Sequence, residues 1–389
     1  MEQSYDVIVV GGGIHGVGVA QAVAADGYSV LVIEQTSLAA GTSSKSSKLI
    51  HGGLRYLESG EFSLVRESLR ERELLLKLAP DLVRRSDFYI PVYPATKRRP
   101  GLLRAGLWAY SLMAGVRKEV RHQKVPKAEW ESLDGLTTKS LQAVFKYPDA
   151  QTDDRALTAA VMRSAEAMGA ELVCPAKFAK AVVAKDEVET TIDSGGTEWT
   201  VSCQVLVNAA GPWASRVAER ISPKPPIVNV ELVQGTHVEL PGEVTRGCYY
   251  VESPTDQRAV FVMPWKGRTM LGTTELPFDR HPSESTPTEE EVRYLLEVYA
   301  HYFPNRSIEI VDKWAGLRVL PAAKGTAFRR SRETQLPADR EGSPRVISIF
   351  GGKLTGYRAT AQKVMKKIHR SLPIKKPIAD TRKLTLTAE

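Results

Sequence analysis

Apolar and polar positions divide this chain into segments of two periods. Residues Tyr5–Val10 form a short, largely β-branched run without strict alternation, which suits a strand buried on both faces of a parallel sheet. From Ile14 to Asp26 the chain is rich in Ala and Val and stops at Gly27, the pattern of a helix with a glycine C-cap. "YSVLVIE" then gives a second strand that ends on Glu34. Later, "DDRALTAAVMRSAEAMGA" sets Leu157, Val161, Ala165 and Met168 along one helical face and feeds a short strand at Glu171–Cys174. Between Val228 and about Ile310 the period falls to two in "HVEL", "CYYVES", "AVFVMPW" and "RTMLGTTE", which predicts antiparallel strands. "VLVNAAGPWA" from Val205 and "VISIFGGKLTGYRATAQKVMKKI" from Val346 each read as a strand opening onto small residues, where backbone can meet a ligand. The chain shows no internal repeat and no long low-complexity segment.

The turn after the first strand carries Gly11, Gly13 and Gly16 in G-x-G-x-x-G spacing. Such glycines let a turn approach a pyrophosphate, the following helix N-terminus favours its negative charge, and an acid at the end of the next strand accepts ribose hydroxyls. Strand, glycines, helix, strand and Glu34 are all present, so the adenosine half of a dinucleotide is predicted here. An acid at position 34 argues against a 2′-phosphate and leaves FAD or NAD.

Composition changes this picture only at the margins. With 389 residues the chain exceeds one hydrophobic core, so two domains are expected. Three widely spaced cysteines, Cys174, Cys203 and Cys248, suggest neither a disulfide framework nor a metal site, and free thiols in a reducing compartment are expected. Four residues precede Tyr5, too few for a signal peptide, and no apolar run reaches the ~18 residues of a spanning helix, so a cytoplasmic location is the expectation.

"GTSSKSSKLIHGGLRYLESG", from Gly41, is too polar to pack a core. It reads either as an exposed loop or as a segment wrapped along a cofactor. In the second case Thr42, Ser43, Ser44, Ser46, Ser47 and Lys48 supply donors without bulk, while His51, Arg55 and Tyr56 supply groups able to act on a substrate.

Taken in order, "VIVVGGGIHGVGVA", "TSSKSSKLIHGGLRYLE", "VNAAGPWA", "FVMPW", "LGTTE", "AGLRVLPA" and "FGGKLTGYR" resemble the FAD-dependent glycerol-3-phosphate dehydrogenases, a branch of the glycine oxidase and D-amino acid oxidase fold group. The resemblance runs over roughly residues 4 to 370. It implies an α/β fold: a Rossmann-like FAD-binding domain with an inserted, mainly antiparallel β substrate domain. The flavin domain is expected to be discontinuous, from 1–90, 146–220 and 344–372, with 91–145 and 221–343 forming the substrate domain and 373–389 a tail. Members of that family carry a further helical domain after the "GGKLT" helix, whereas this sequence ends at Glu389. The flavin and substrate chambers are expected without it, and the departure bears on oligomerisation and on coupling to an electron acceptor.

The same resemblance implies oxidation of glycerol 3-phosphate to dihydroxyacetone phosphate by hydride transfer from C2 to FAD, with electrons passed to quinone. An oxygen-using oxidase, or an amine or 2-hydroxy acid oxidoreductase of the same fold, is the alternative. Arg55, Arg318, Arg332 and Lys353 fall in the matching motifs and are implied to bind phosphate and glycerol, a role that suits guanidinium geometry. His237, in "GTHVEL", is implied to take the hydroxyl proton or to orient the C2 hydroxyl, with Arg318 beside it; His51, in "LIHGG", is a second catalytic candidate or positions the flavin instead, and Glu275 is a third possibility. Ala210 and Gly211, together with Gly352, Lys353, Leu354 and Thr355, are expected against the flavin, where the helix beginning near Thr355 favours negative charge.

Formal net charge is +8, and the segment Lys97–Lys127 alone holds nine basic residues and one acid, Glu119. Its core contains Leu102, Leu103, Leu107, Trp108, Leu112 and Met113. An amphipathic helix on an anionic membrane, at the inner face of the cytoplasmic membrane, is one reading, and a core helix with a solvated basic face is the other. No stacking platform or recognition module accompanies the charge, so nucleic acid is not expected.

Overall fold

The computed structural model describes residues 4–58, 60–115, 121–322 and 333–388. Its first sheet has eight strands. Ser4–Val10 lies parallel between Val30–Ile33 and the second half of Thr197–Asn208, with Glu171–Val173 beyond the former and Val346–Ser348 beyond the latter. Thr197–Asn208 also continues, through its first half, into an antiparallel meander with Val188–Ser194 and Lys177–Val183.

Helix Ile14–Ala25 is buried at eleven of its twelve positions, because it lies between the sheet and helices Asp154–Glu166 and Tyr357–Ile368. A helix covered on all sides needs no polar face, which explains its uniform Ala/Val composition. Leu157, Val161 and Ala165 face this core as the periodicity predicts, and Asp153 caps their helix by accepting from the Arg155 and Ala156 amides. The segment 373–388 packs along the same layer: Leu386 is buried, its amide donates to the Leu78 carbonyl at 2.7 Å, and the Ile378 amide donates to Ala25.

The second sheet has ten strands and is mainly antiparallel. Val230–Pro241 pairs with Asp312–Pro321 along ten successive positions, and with Arg268–Gly272 and Leu276–Phe278 on its other side. Helix Glu289–Tyr302, closed by a Thr288/Glu291 capping box, covers one face. Val83–Val92 and Ala143–Thr152 pair antiparallel within this second sheet. The chain therefore passes from the first sheet to the second between Ile33 and Leu49, since Leu49–Ile50 already pairs with Ala143–Thr152, and returns near residue 153, whereas the sequence reading places the exchanges at 90 and 146. Strand periodicity alone does not say which sheet a strand joins.

Helix Pro100–Met113 has two apolar faces. Leu103, Leu107 and Tyr110 are buried in the core, while Leu102, Trp108 and Leu112 are 69, 63 and 52% exposed. Leu107 thus does not share a surface with Trp108. Arg98 is also withdrawn from the basic patch, since it is buried between Glu58 and Glu252. Arg117 and Lys118 lie outside the described residues. Among the described residues no helix is long and apolar enough to cross a membrane.

Candidate active site

Four parallel strands of the first sheet end on one cavity of about 980 Å³, at Val10, Ile33, Ala209 and Gly351. Ligands of open α/β sheets bind outside such carboxyl ends. The far wall of the cavity is the second sheet, which contributes His237 and Arg318.

At the first-sheet end the backbone itself is the lining. Gly11 adopts φ +111°, and a Cβ there would stand 2.7 Å from the Ala209 carbonyl oxygen. Gly13 needs no unusual φ; its missing side chain leaves only Ser43 Oγ near, at 3.1 Å, and keeps the cavity open. Gly16 serves packing: a Cβ would lie 1.9 Å from the Gly11 oxygen, so it holds the helix against the turn and does not line the cavity. Glu34 accepts from the Gly12 amide at 2.8 Å and from the Thr36 amide at 2.9 Å, and its side chain borders the cavity. A carboxylate has about four acceptor positions, so these bonds leave capacity for a ligand.

The serine-rich stretch is an ordered crossing between the sheets, and four of its hydroxyls each tie it to a different element. Thr42 donates to the Leu317 carbonyl at 2.7 Å, Ser43 accepts from the Ile14 amide at 2.9 Å, and Ser46 donates to Asp154 at 2.7 Å. Ser47 Oγ lies 2.8 Å from His237 Nε2. Thr42, Ser43, Ser46 and Ser47 line the cavity; Ser44 and Lys48 do not. The predicted cofactor role of Lys48 is corrected accordingly. Its ammonium turns away to Asp154 Oδ1 at 2.7 Å and the Ser44 carbonyl at 2.6 Å, with the rings of Trp265 and Trp314 each 5.4 Å off. A carboxylate buried this deeply needs a cation more than the cavity does.

On the second sheet, cross-strand register builds the wall. Val233, Gly235 and His237 stand opposite Arg318, Gly316 and Trp314. Gly235 makes room for the Arg318 guanidinium, since a Cβ would be 2.6 Å from Nη2, and Gly316 admits the serine stretch, with Lys45 O at 2.6 Å. Gly272, paired with His237, makes room for the imidazole. Arg318 donates to Thr273 Oγ1 at 2.7 Å and to the Thr274 carbonyl at 3.1 Å. Arg55 lies 3.8 Å from Glu275, and the Lys353 ammonium sits 3.7 Å over the Tyr56 ring centre. Arg258, which the sequence reading passed over, also lines this end; it is held by Asp256 at 2.6 Å. No local motif marks Arg258, and only the strand register brings it here.

His237 is fully buried. Burial foremost, then the Arg318 and Lys48 charges, hold its imidazole well below the usual range, so it is neutral at physiological pH. His51 lines the cavity, and its amide donates to Thr355 Oγ1 at 3.1 Å. Ala210, Gly211, Gly352, Lys353, Leu354 and Thr355 are all on the lining, with Gly351 and Gly352 at φ +78° and +100°. His15 is a further lining group, at a variable position of the glycine fingerprint. Burial lowers its pKa to about 4, and its Nδ1 has no hydrogen-bond partner among the described residues. Arg332 lies outside the described residues.

Residues 6–358 match the DAO family model, described as FAD dependent oxidoreductase. The chain belongs to that family. It is 36% identical over 378 residues to a glycerol-3-phosphate dehydrogenase of Pseudomonas aeruginosa, covering 95% of this chain and 72% of that one. It is 32% identical to a D-erythritol 1-phosphate dehydrogenase of Brucella abortus, covering 95% of this chain and 75% of that one. Among solved structures, a glycerol-3-phosphate dehydrogenase of Bacillus halodurans complexed with FAD superposes with a TM-score of 0.76 at 25% identity, covering 99% of this chain and 68% of that one.

FAD is the cofactor of this DAO-family chain, and the cavity suits it. The space is large enough for a dinucleotide, the glycine backbone is open at Gly13, and the buried His15 Nδ1 lacks a partner at the lining.

Proposed function

We propose that this DAO-family oxidoreductase oxidises sn-glycerol 3-phosphate to dihydroxyacetone phosphate. The observation that carries the reading is the set of cations, Arg55, Arg318, Arg258 and Lys353, gathered on the cavity around a neutral imidazole, His237. A phosphorylated alcohol needs both: cations for the dianion and an uncharged base for the hydroxyl proton. Relatives named for two phosphorylated polyols support the same substrate class.

In this reading the Gly11–Gly13 turn and the Ile14 helix N-terminus hold the pyrophosphate, and Glu34 takes the ribose hydroxyls. Thr42, Ser43, Ser46, Ala210, Gly211 and Gly352–Thr355 flank the rest of the cofactor, with Gly16 packing the turn behind it. FAD, when bound, supplies a two-electron hydride acceptor. Arg55, Arg318 and Lys353 hold the phosphate, joined by Arg332 as the family motif implies, while Tyr56 braces Lys353. His237 receives the C2 hydroxyl proton; His51 orders the loop beneath the substrate.

The electrons pass on to quinone, with the chain lying on an anionic membrane through Leu102, Trp108 and Leu112 and the basic residues Lys97, Arg99 and Arg104 around them. Anionic lipid contributes about 1 kcal/mol per basic residue near the surface.

Anaerobic mixing tests the substrate. Glycerol 3-phosphate should bleach the flavin band and glycerol should not; faster bleaching by D-erythritol 1-phosphate would move the reading to the longer polyol. Reoxidation by a ubiquinone analogue, compared with oxygen, separates dehydrogenase from oxidase. Sedimentation with anionic vesicles at low salt should carry the wild-type chain down and leave a Trp108→Ser/Leu112→Ser variant in solution.

A further inference from the structure

We infer that Ser47 is a second catalytic residue: its hydroxyl is the relay by which the proton of a substrate hydroxyl in the cavity reaches His237. The inference rests on the dehydrogenase reading above and assigns a step within it.

The imidazole is packed on one ring face and along its Cδ2 edge, and both of its nitrogens are covered. One ring face stacks on Trp314, with centroids 5.5 Å apart and planes 11° off parallel. On the Cδ2 edge the backbone of Gly272 is so close that a Cβ would fall 2.1 Å from the ring. Nδ1 is buried without a hydrogen-bond partner among the described residues, and the whole residue is 2% exposed. Nε2 is capped by Ser47 Oγ at 2.8 Å. Ser47 itself lines the cavity, on the stretch that crosses between the two sheets. A hydroxyl approaching from the cavity therefore reaches Ser47 Oγ before Nε2, and Nδ1 is closed to it.

The geometry prescribes the transfer. The substrate O–H bond breaks and its proton bonds to Ser47 Oγ, while the Ser47 proton passes to Nε2. FAD, when bound, would supply the two-electron acceptor for the hydrogen on the same carbon, which leaves with its electron pair as the alcohol becomes a ketone. Ser47 ends unchanged, and His237 carries one added proton. A serine hydroxyl is too weak a base to hold that proton alone, so the step needs the imidazole behind it. It also needs Nε2 unprotonated, which fixes the neutral ring as the Nδ1–H tautomer. The charges facing the ring, Arg318 from strand Asp312–Pro321 and Lys48 from the crossing loop, both oppose its protonation. A phosphate dianion against Arg318 would offset one of them, which couples proton uptake to substrate binding.

Ser47→Ala and Ser47→Thr in the FAD-loaded protein decide the matter, read by flavin content, substrate dissociation constant and the stopped-flow rate of flavin reduction by glycerol 3-phosphate. Ser47→Ala is expected to keep FAD and to bind substrate within about threefold of wild type, while reduction slows on the order of 10²-fold or more, the usual contribution of positioned acid–base groups. Ser47→Thr, which keeps the hydroxyl, should recover most of that rate. Adding His237→Ala to Ser47→Ala should cost little more than either alone, since both serve one transfer. An unslowed Ser47→Ala, a Thr variant as slow as Ala, additive losses in the double variant, or loss of FAD on removing the hydroxyl would each overturn the relay. A wild-type flavin that glycerol 3-phosphate fails to bleach would instead overturn the substrate reading. The tautomer gives a test without substrate: ¹⁵N NMR of His237 at neutral pH should show the proton on Nδ1, and a proton on Nε2 rejects the relay.

Discussion

Lys48→Met separates a cofactor contact from a structural one. In the fold its side chain is 6% exposed and its ammonium pairs with Asp154, whose side chain is 0% exposed. Burial pushes the Asp154 carboxyl up, and the Lys48 charge is the largest influence pulling it back. Methionine approximates the lysine stem but removes the charge, leaving Asp154 with the Ser46 amide at 3.0 Å and hydroxyl at 2.7 Å, and the Arg155 amide at 2.9 Å. Removing one partner of a buried pair costs about 3–5 kcal/mol. Three remaining donors argue for the lower half of that range. Unfolding entropy near 2.1 cal/mol/K per residue makes about 0.8 kcal/mol/K for a chain of 389 residues, so the midpoint should fall by roughly 4–5 °C.

The assay is thermal and denaturant unfolding followed by tryptophan fluorescence, with Trp265 and Trp314 both beside the ammonium. Flavin content is read in parallel. The variant should be less stable yet still yellow, and Lys48→Met/Asp154→Leu should recover part of the loss by removing the stranded charge. A variant that unfolds within about 1 °C of wild type but has lost FAD would refute the structural role and restore the cofactor contact.

Three further outcomes follow from the cavity. Gly13→Val places a branched side chain where only Ser43 Oγ stands near, so the purified protein should be colourless with a near-native circular dichroism spectrum; full flavin content would contradict the placement of the dinucleotide. Arg318→Ala should weaken glycerol 3-phosphate about ten- to a hundredfold, the value of one charge-assisted contact at roughly 1.5–3 kcal/mol, and leave FAD bound; equal affinities by flavin titration would remove Arg318 from the phosphate site. His15 has its pKa lowered to about 4 from 6.5, so between those values the unfolded chain binds a proton that the folded chain refuses. Stability should therefore fall as pH drops from 6.5 to about 4 and flatten below, by about 3 kcal/mol in total. Comparison with His15→Gln isolates the effect, and parallel stability–pH curves would disprove it.

What the sequence disclosed was what the backbone demands locally. Gly11 needs a positive φ, Gly16 needs contact with the turn, and Glu34 ends a buried strand; each requirement acts within about thirty residues and leaves its mark on residue type. Pairings across the fold leave none. Lys48 meets Asp154 across 106 positions and Ser47 meets His237 across 190, so a serine-rich stretch that reads equally as loop or cofactor wrap turns out to hold four elements together. Helix Pro100–Met113 shows the same limit in another form. Its apolar residues invite a single amphipathic face, but the core takes Leu103 and Leu107 and leaves Leu102, Trp108 and Leu112 outside, a division that only the packing partner decides.

The crossing loop is clamped at both ends by buried charge, and this bears on how the substrate groups are aimed. At one end stands Lys48 with Asp154. At the other, Asp149 accepts from the Gly52 amide at 3.3 Å, from Arg72 at 2.7 Å and from the Tyr110 hydroxyl at 2.7 Å. Gly52 admits this cluster because a Cβ would stand 2.4 Å from the Tyr110 oxygen and 2.5 Å from Leu69. Between the clamps lies His51, and just beyond them Arg55 and Tyr56. A buried pair is a poor source of net stability, but its directional bonds fix register where apolar packing would allow a slide. Long cationic side chains lose rotamer freedom when they bind a phosphate, and a backbone already fixed at Gly52 spares them the further cost of ordering the loop. The clamps thus place their energetic weight in pre-organising the substrate end of the cavity, while the glycine turns do so for the cofactor end.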